Sequence, residues 1–230
     1  MNTLIRLRRD TVCTLHLHDA QFADLAGAAP WRQFRWHKKQ VHYPGQYWSS
    51  TMQAHVGYES RLELAALLLE DFDPDVRWIG SQPFEMEAQV GEAKRRHVPD
   101  YLVQRSDKTV DIVDVKPHRM LQRPEVAEAL AWPAADFSHR GWRYRIVSEP
   151  EPVALANARF LAGYRRASQF VEFDLVDLTQ AVRGAFTLGE AMRSDAATAR
   201  AVVLHLLWTR RLHCDLGAGP LSTATILTAA

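Results

Sequence analysis

The sequence predicts an α+β protein, a mixed β-sheet flanked by helices, followed by a mostly helical second domain. An amphipathic helix at 58–72 precedes several short β-rich segments that are bounded by turn residues. A further helix and strand follow at 123–147, and this order of elements is typical of a mixed sheet covered by helices. After Glu149-Pro-Glu-Pro the pattern is mainly helical, so we expect domains at 1–150 and 151–230.

Composition excludes several classes of protein. At 230 residues, with 47% hydrophobic and 24% charged side chains, the chain can bury one large core or two small ones. The net charge is only +1, so nucleic-acid binding would have to rest on local charge. The two cysteines lack the spacing of a zinc site or a disulfide framework. Since we find neither a signal peptide nor an apolar stretch of about 20 residues, we expect a cytoplasmic protein that does not enter membranes and joins the nucleoid when bound to DNA.

Two basic stretches are candidates for DNA contact. Residues 31–50 combine four basic side chains with three tryptophans and two tyrosines and contain no acid. Cations pair with phosphates and rings pack on sugars or bases, so we interpret 31–50 as a DNA-facing hairpin with its turn at Pro44-Gly45. The alternative is a strand pair with core aromatics and solvated charges. The run at 94–97 is either solvated turn charge or a phosphate contact. The candidate DNA-binding residues are Arg35, Lys38, Lys39, Lys94, Arg95 and Arg96.

The helix at 58–72 carries a glutamate with two possible roles. Its apolar residues repeat at helical spacing and form a stripe for packing. Ser60 and Glu63 fit a capping box, in which the glutamate accepts a hydrogen bond from a free backbone N–H. From this helix alone, capping is the favoured role of Glu63. Asp73-Pro74 ends the helix.

The hairpin from 98 to 116 carries the candidate chemistry. A turn centred near Asp107 sets Asp100 opposite Asp114, with Cβ atoms about 4.5–5.5 Å apart. Two carboxylates so placed repel each other, and a divalent cation between them reverses the sign of that interaction. Lys116 emerges on the same face, two residues beyond Asp114. The alternative is a surface pair with a salt-bridging lysine, which fits less well because the apolar residues at 112–115 predict a strand buried on both faces.

The second domain is expected to resemble a winged helix. A connector helix at 153–170 precedes helices at 175–183, from Thr187 and at 196–211, and a β-hairpin at 213–227. Winged helices bind either DNA or proteins, so the fold alone does not distinguish these functions.

Taken together, these residues resemble the TnsA-type endonuclease subunit of heteromeric transposases over about residues 57–150. The resemblance rests on SRLELAALLLEDF, which contains Glu63, on Gln82-Pro83, on Pro99-Asp-Tyr-Leu-Val103 and on Asp114-Val-Lys-Pro117. It implies a restriction-endonuclease-like fold of the PD-(D/E)xK class. It also implies four catalytic residues, Glu63, Asp100, Asp114 and Lys116.

In that family the three carboxylates hold one or two Mg²⁺ ions, for which Mn²⁺ substitutes, and the lysine assists the attacking water. The resemblance implies cleavage of double-stranded DNA at the 5′ ends of the transposon. It also implies a DDE-type transposase partner (TnsB-like) and an AAA+ ATPase regulator (TnsC-like) that would use the C-terminal domain. Two alternatives stay open: a restriction or repair nuclease of the same fold, and a non-catalytic binding module on a degenerate nuclease fold.

Overall fold

The computed structural model describes residues 3–32, 43–170, 186–193 and 199–228. The chain divides into two units: Met1–Leu67 with Asp75–Glu149, and Leu68–Pro74 with Pro150–Ala230. The predicted α+β class is confirmed, because the first unit combines several β-sheets with helices.

A mixed four-stranded sheet carries the candidate chemistry. Its order is β10-β9-β8-β5, with β5 Val76–Ser81, β8 Tyr101–Arg105, β9 Val110–Val115 and β10 Arg143–Val147. The hairpin partners β8 and β9 are antiparallel, whereas β10 runs parallel to β9. Every residue of β9 is buried, as its apolar residues Ile112, Val113 and Val115 predict. The mixed sheet expected from the sequence is therefore present.

A second, antiparallel sheet has the order β2-β1-β6-β7. Its strands are β1 Leu4–Arg8, β2 Val12–His16, β6 Glu85–Val90 and β7 Ala93–His97. The basic run at 94–97 was expected to be a turn, and that expectation is wrong because these residues form the edge strand β7 against β6. Alternate residues of an edge strand face solvent, which lets a strand carry such a charged run.

The hairpin predicted within 31–50 needs a correction. Strand β3 (Gly45–Ser49) pairs with β4 (Ala54–Tyr58), so Gly45 begins a strand and does not form the predicted turn. A Cβ atom at Gly45 would stand 2.4 Å from the hydroxyl of Tyr58, its partner in this pairing. The first half of the predicted hairpin, at 33–42, lies outside the described residues.

Among the described residues up to Glu149, four helices accompany these strands, and two of them contribute to the core. The four helices are α1 Phe22–Ala26, α2 Arg61–Phe72, α3 His118–Leu121 and α4 Pro124–Arg140. Helix α4 contains Pro133 and ends at Gly141, whose φ of 80° suits glycine. The buried core combines residues of both four-stranded sheets with α1 and α4: Ile5, Leu7, Leu25, Phe84, Met86, Leu102, Ile112 and Phe137.

The second unit is largely helical where it is described. It contains α5 Pro152–Leu161, two 3₁₀ turns, α6 Leu188–Ala191 and α7 Ala199–Trp208. Thr187 and Glu190 form the predicted capping box of α6. Helix α5 is shorter than the predicted connector, because the chain passes into 3₁₀ turns at Ala162.

The expected hairpin at 213–227 is wrong, since His213 and Ile226 make only isolated bridges, to Thr228 and Thr187. The predicted helix at 175–183 lies outside the described residues, so the winged helix stays a prediction. Among the residues that are described, no helix has the length and apolar character needed to cross a membrane.

Candidate active site

The β8–β9 register brings two aspartates together. Tyr101 faces Val113, and the pairing continues to Gln104 opposite Val110. One step outward the same register sets Asp100 opposite Asp114, as the turn centred at Asp107 predicts. The backbone N–H of Asp100 donates to Asp114 Oδ1 at 3.3 Å. The position of the turn therefore sets the register that brings the two carboxylates together.

The chain around Gln82 supports Asp100 from its backbone. Gln82 has a φ of 45°, so it sits in the left-handed region between β5 and β6. Its N–H donates to the carbonyl of Asp100 at 2.9 Å, while its own carbonyl accepts the N–H of Trp31 at 2.8 Å. These bonds hold Asp100 at the start of β8.

Lys116 joins the aspartates, as the two-residue spacing predicts. Its Nζ lies 3.2 Å from Asp100 Oδ2 and 3.2 Å from the carbonyl of Val115. Burial disfavours the ammonium, but Asp100 and Asp114 outweigh that effect and raise the pKa of Lys116. The lysine is therefore a fixed cation at neutral pH.

Glu63 occupies the first turn of α2. Its N–H donates to Ser60 Oγ at 3.1 Å, and its Oε2 accepts the N–H of Glu59 at 2.8 Å. Tyr101 ties this turn to β8, since its hydroxyl lies 3.4 Å from the carbonyl of Glu63. Burial raises the pKa of Glu63 to about 7, and the negative charge of Asp100 adds to that rise. The capping contact and the electrostatic interaction with Asp100 are both present.

Negative charge is in excess in this cluster. Burial raises the pKa of Asp100, and the charge of Asp114 raises it further, although Lys116 opposes the shift. Three carboxylates thus share one lysine in a poorly solvated place. A divalent cation would relieve this repulsion, which is the electrostatic condition of a metal-binding site.

Two residues that the sequence did not single out contact Asp114. The hydroxyl of Tyr144, on β10, donates to Asp114 Oδ2. His97 Nε2, at the end of β7, lies 2.8 Å from the same oxygen. Burial favours the neutral acid, but His97, Lys116 and Tyr144 together lower the pKa of Asp114. No local motif identifies the two residues, because only the strand order brings them to Asp114.

The donor set suits Mg²⁺ in its chemistry. Glu63, Asp100 and Asp114 offer carboxylate oxygens, the donors that this hard cation prefers. Among the described residues, no three Asp, Glu, His or Cys side chains already surround a common point as a metal cage. Mg²⁺ commonly binds one or two carboxylates and keeps water and phosphate as its other ligands, so a complete protein cage is not required.

A groove of about 1220 Å³ opens over this cluster. Its lining includes Arg32, Glu63, Arg95, Arg96, Asp100 and Lys116. Asp114 lies beneath it with a fully buried side chain. Basic residues and candidate catalytic groups therefore border one opening, which suits a polyanionic substrate.

The basic residues of β7 have acidic neighbours. Lys94 and Arg96 lie 2.5 and 2.9 Å from Glu87, and Arg95 lies 2.6 Å from Glu128. The pair of Arg95 with the exposed Glu128 is weak, so a phosphate can compete for Arg95. The other three candidates for DNA contact, Arg35, Lys38 and Lys39, lie outside the described residues.

Comparison with known protein families agrees with the resemblance drawn from the residues. Residues 73–149 match the family model described as TnsA-like endonuclease N terminal. The matched span contains Asp100, Asp114 and Lys116, whereas Glu63 precedes it. No curated protein matches the sequence. The match supports a TnsA-like nuclease and its restriction-endonuclease-like fold.

Proposed function

We propose, from the premise that residues 73–149 form a TnsA-like endonuclease domain, that this protein is the Mg²⁺-dependent endonuclease subunit of a heteromeric transposase. Its reaction is hydrolysis of a phosphodiester at the 5′ end of the transposon during excision. The observation that carries the proposal is the pairing of Asp100 with Asp114 beside Lys116, at the floor of a groove bordered by arginines.

The buried carboxylates account for metal dependence. Glu63, Asp100 and Asp114 would hold the ion, and their mutual repulsion in a buried place favours its uptake. When bound, the ion would polarise the scissile phosphate and lower the pKa of a coordinated water. Mn²⁺ presents the same preference for oxygen donors and would substitute.

Lys116 supplies the fixed positive charge of the reaction. Its ammonium is anchored by Asp100 and by the carbonyl of Val115, so it can orient the attacking water without a large rearrangement. It can also stabilise negative charge that develops on the phosphoryl oxygens. In-line attack by that water breaks the bond to the 3′ oxygen and leaves a 3′-hydroxyl and a 5′-phosphate.

The partners follow from the same premise. Double-stranded DNA at the transposon ends is the substrate, and the arginines beside the groove are suited to its phosphates. A DDE-type transposase (TnsB-like) would cut and join the 3′ ends. An AAA+ regulator (TnsC-like) would contact the C-terminal unit.

Strand-specific cleavage tests the proposal. Transposon-end DNA is incubated with Mg²⁺, the partner transposase and either wild type, Asp114→Ala or the control Asp107→Ala, which alters an exposed aspartate in the turn of the same hairpin. We expect wild type and Asp107→Ala to cut at the 5′ ends and Asp114→Ala to be inactive. Equal cutting by wild type and Asp114→Ala would overturn the site assignment. Efficient cutting without any transposase would favour a restriction or repair nuclease instead.

A further inference from the structure

We infer that Tyr144 and His97 are positioning residues that hold Asp114 by its Oδ2 atom and leave Oδ1 as the oxygen offered to the metal ion. The inference rests on the proposed function. It assigns a purpose to two side chains that neither the family match nor the sequence pattern identifies.

Tyr144 reaches Asp114 from the neighbouring parallel strand. The β9–β10 register sets Ile146 beside Asp114 and Tyr144 beside Ile112, so the tyrosine spans two positions along the sheet to make its contact. Its hydroxyl donates to Asp114 Oδ2.

His97 approaches the same oxygen from the other four-stranded sheet. It ends β7, pairs with Met86 and packs edge-on against Trp132 at 6.4 Å between ring centroids. Its Nε2 lies 2.8 Å from Asp114 Oδ2, and only 14% of its side chain is exposed. A ring confined in this way restricts the rotation of the carboxylate that it contacts.

The two oxygens of Asp114 are therefore unequal. Oδ2 accepts the hydroxyl of Tyr144 and lies 2.8 Å from His97 Nε2, whereas Oδ1 accepts the N–H of Asp100 at 3.3 Å. The weakly held oxygen lies on the side of the Asp100 pair. In metal sites, hydrogen bonds to one carboxylate oxygen commonly fix the orientation of the other, and losing such a partner costs about 10–100-fold in affinity or activity.

A purely structural role would make a different prediction. Any buried carboxylate needs hydrogen-bond partners, so these contacts could serve stability alone. In that case their removal would lower the melting temperature without changing ion affinity. A positioning role requires weaker ion binding in variants that are folded.

Calorimetric titration with Mn²⁺ separates the two roles. We expect Tyr144→Phe and His97→Gln to bind Mn²⁺ about 10–100-fold more weakly than wild type. The controls are Tyr164→Phe, in the second unit, and His16→Gln, on the exposed face of β2, and both should bind as wild type does. Tyr144→Phe removes a single oxygen atom. If His97→Gln does not fold, Tyr144→Phe alone distinguishes a positioning role from a purely structural one.

The metal dependence of cleavage gives a second readout. Because the loss lies in ion affinity, raising the Mn²⁺ concentration should restore most of the cleavage rate of Tyr144→Phe. Two results would overturn this inference and leave the proposed function standing. One is wild-type Mn²⁺ affinity in folded Tyr144→Phe, and the other is a loss of rate that saturating Mn²⁺ does not restore. A wild-type protein that binds no Mn²⁺ would instead overturn the proposed metal dependence, and the inference with it.

Discussion

Asp100 and Asp114 face each other across the β8–β9 hairpin, yet folding shifts their pKa values in opposite directions. Burial and the neighbouring charge raise the pKa of Asp100, whereas His97, Lys116 and Tyr144 lower that of Asp114 against its burial. Both carboxyls are buried and hydrogen-bonded, but burial outweighs the donors Lys116 and Val115 at Asp100, whereas the partners of Asp114 outweigh its burial. Environments that separate paired carboxyls in this way are a common feature of catalytic sites.

Glu63 should make the metal-free protein less stable as the pH rises from about 4.5 to about 7. Folding raises the pKa of Glu63 from 4.5 to about 7, so between these values the folded state binds more protons than the unfolded state. Stability contributed by protonated Glu63 is complete below about pH 4.5 and lost by about pH 7. At about 1.36 kcal/mol per pKa unit, the shift corresponds to roughly 3 kcal/mol.

Urea denaturation in the presence of EDTA, from about pH 5 to about pH 8, measures this effect. Glu63→Gln keeps an acceptor for the N–H of Glu59 but does not titrate, so its stability should vary less with pH. Folding also raises the pKa of Asp100. Because Asp100 is present in both wild type and Glu63→Gln, the difference between their pH profiles reports Glu63 alone. Identical pH profiles would show that Glu63 does not titrate as described.

Lys116→Ala should separate chemistry from metal binding. Without the ammonium we expect cleavage to fall by about 10²–10⁴-fold, the range of a lost acid–base or orienting group. Mn²⁺ affinity should stay the same or increase, because a competing cation beside Asp100 is removed. Cleavage assays and calorimetry on the same preparation measure both quantities.

Lys108→Asn is the matched control for Lys116→Ala, since it removes an exposed lysine whose φ of 70° asparagine tolerates. If Lys116→Ala loses Mn²⁺ binding and cleavage to the same extent, the lysine supports the carboxylates rather than the attacking water.

Strand β7 should contribute phosphate contacts through Arg95 and Arg96. Both line the groove; Arg95 pairs with the exposed Glu128, and the side chain of Arg96 is itself exposed, so phosphates can compete for both arginines. Each change to glutamine should weaken binding of duplex DNA and reduce the slope of log K against log salt by about 0.9. Fluorescence anisotropy at several salt concentrations measures the slope, and Lys108→Asn should leave it unchanged. An unaltered slope in both arginine variants would exclude β7 from the DNA interface.

Asp111 should contribute to folding stability without belonging to the candidate catalytic residues. Its fully buried carboxylate is shared by three guanidinium groups, with Nε distances of 2.9 Å to Arg105, 2.6 Å to Arg143 and 3.1 Å to Arg145. Removing one partner of such a cluster leaves the others poorly compensated, so Asp111→Ala should destabilise folding by about 3 kcal/mol.

Chemical denaturation compares Asp111→Ala with Asp107→Ala, whose exposed side chain accepts the N–H of Thr109 at 2.8 Å in the adjoining turn and should therefore cost only about 1 kcal/mol. The pKa of Asp111 is lowered by its arginines despite burial, so its contribution is present above the ordinary aspartate pKa and lost on acidification. Equal stability of the two variants at neutral pH would contradict the assignment.

The local part of the candidate site can be predicted from short stretches of sequence. A turn centred at Asp107 and a two-residue alternation are enough to set Asp100 opposite Asp114 and to put Lys116 on their face, because hairpin register depends on neighbouring residues. The capping box at Glu63 is local in the same sense. The apolar pattern of β9 likewise predicted its burial on both faces.

The side chains that surround Asp114 come together only through tertiary packing. The basic run at 94–97 became an edge strand of a separate sheet, and β10 joined β9 in parallel, which brought His97 and Tyr144 to one oxygen. Which strands become neighbours depends on burying both sheets against α4 around one core, and no local pattern carries that information. Positions distant in sequence meet only after that packing, so the environment that keeps Asp114 ionised is a property of the folded chain.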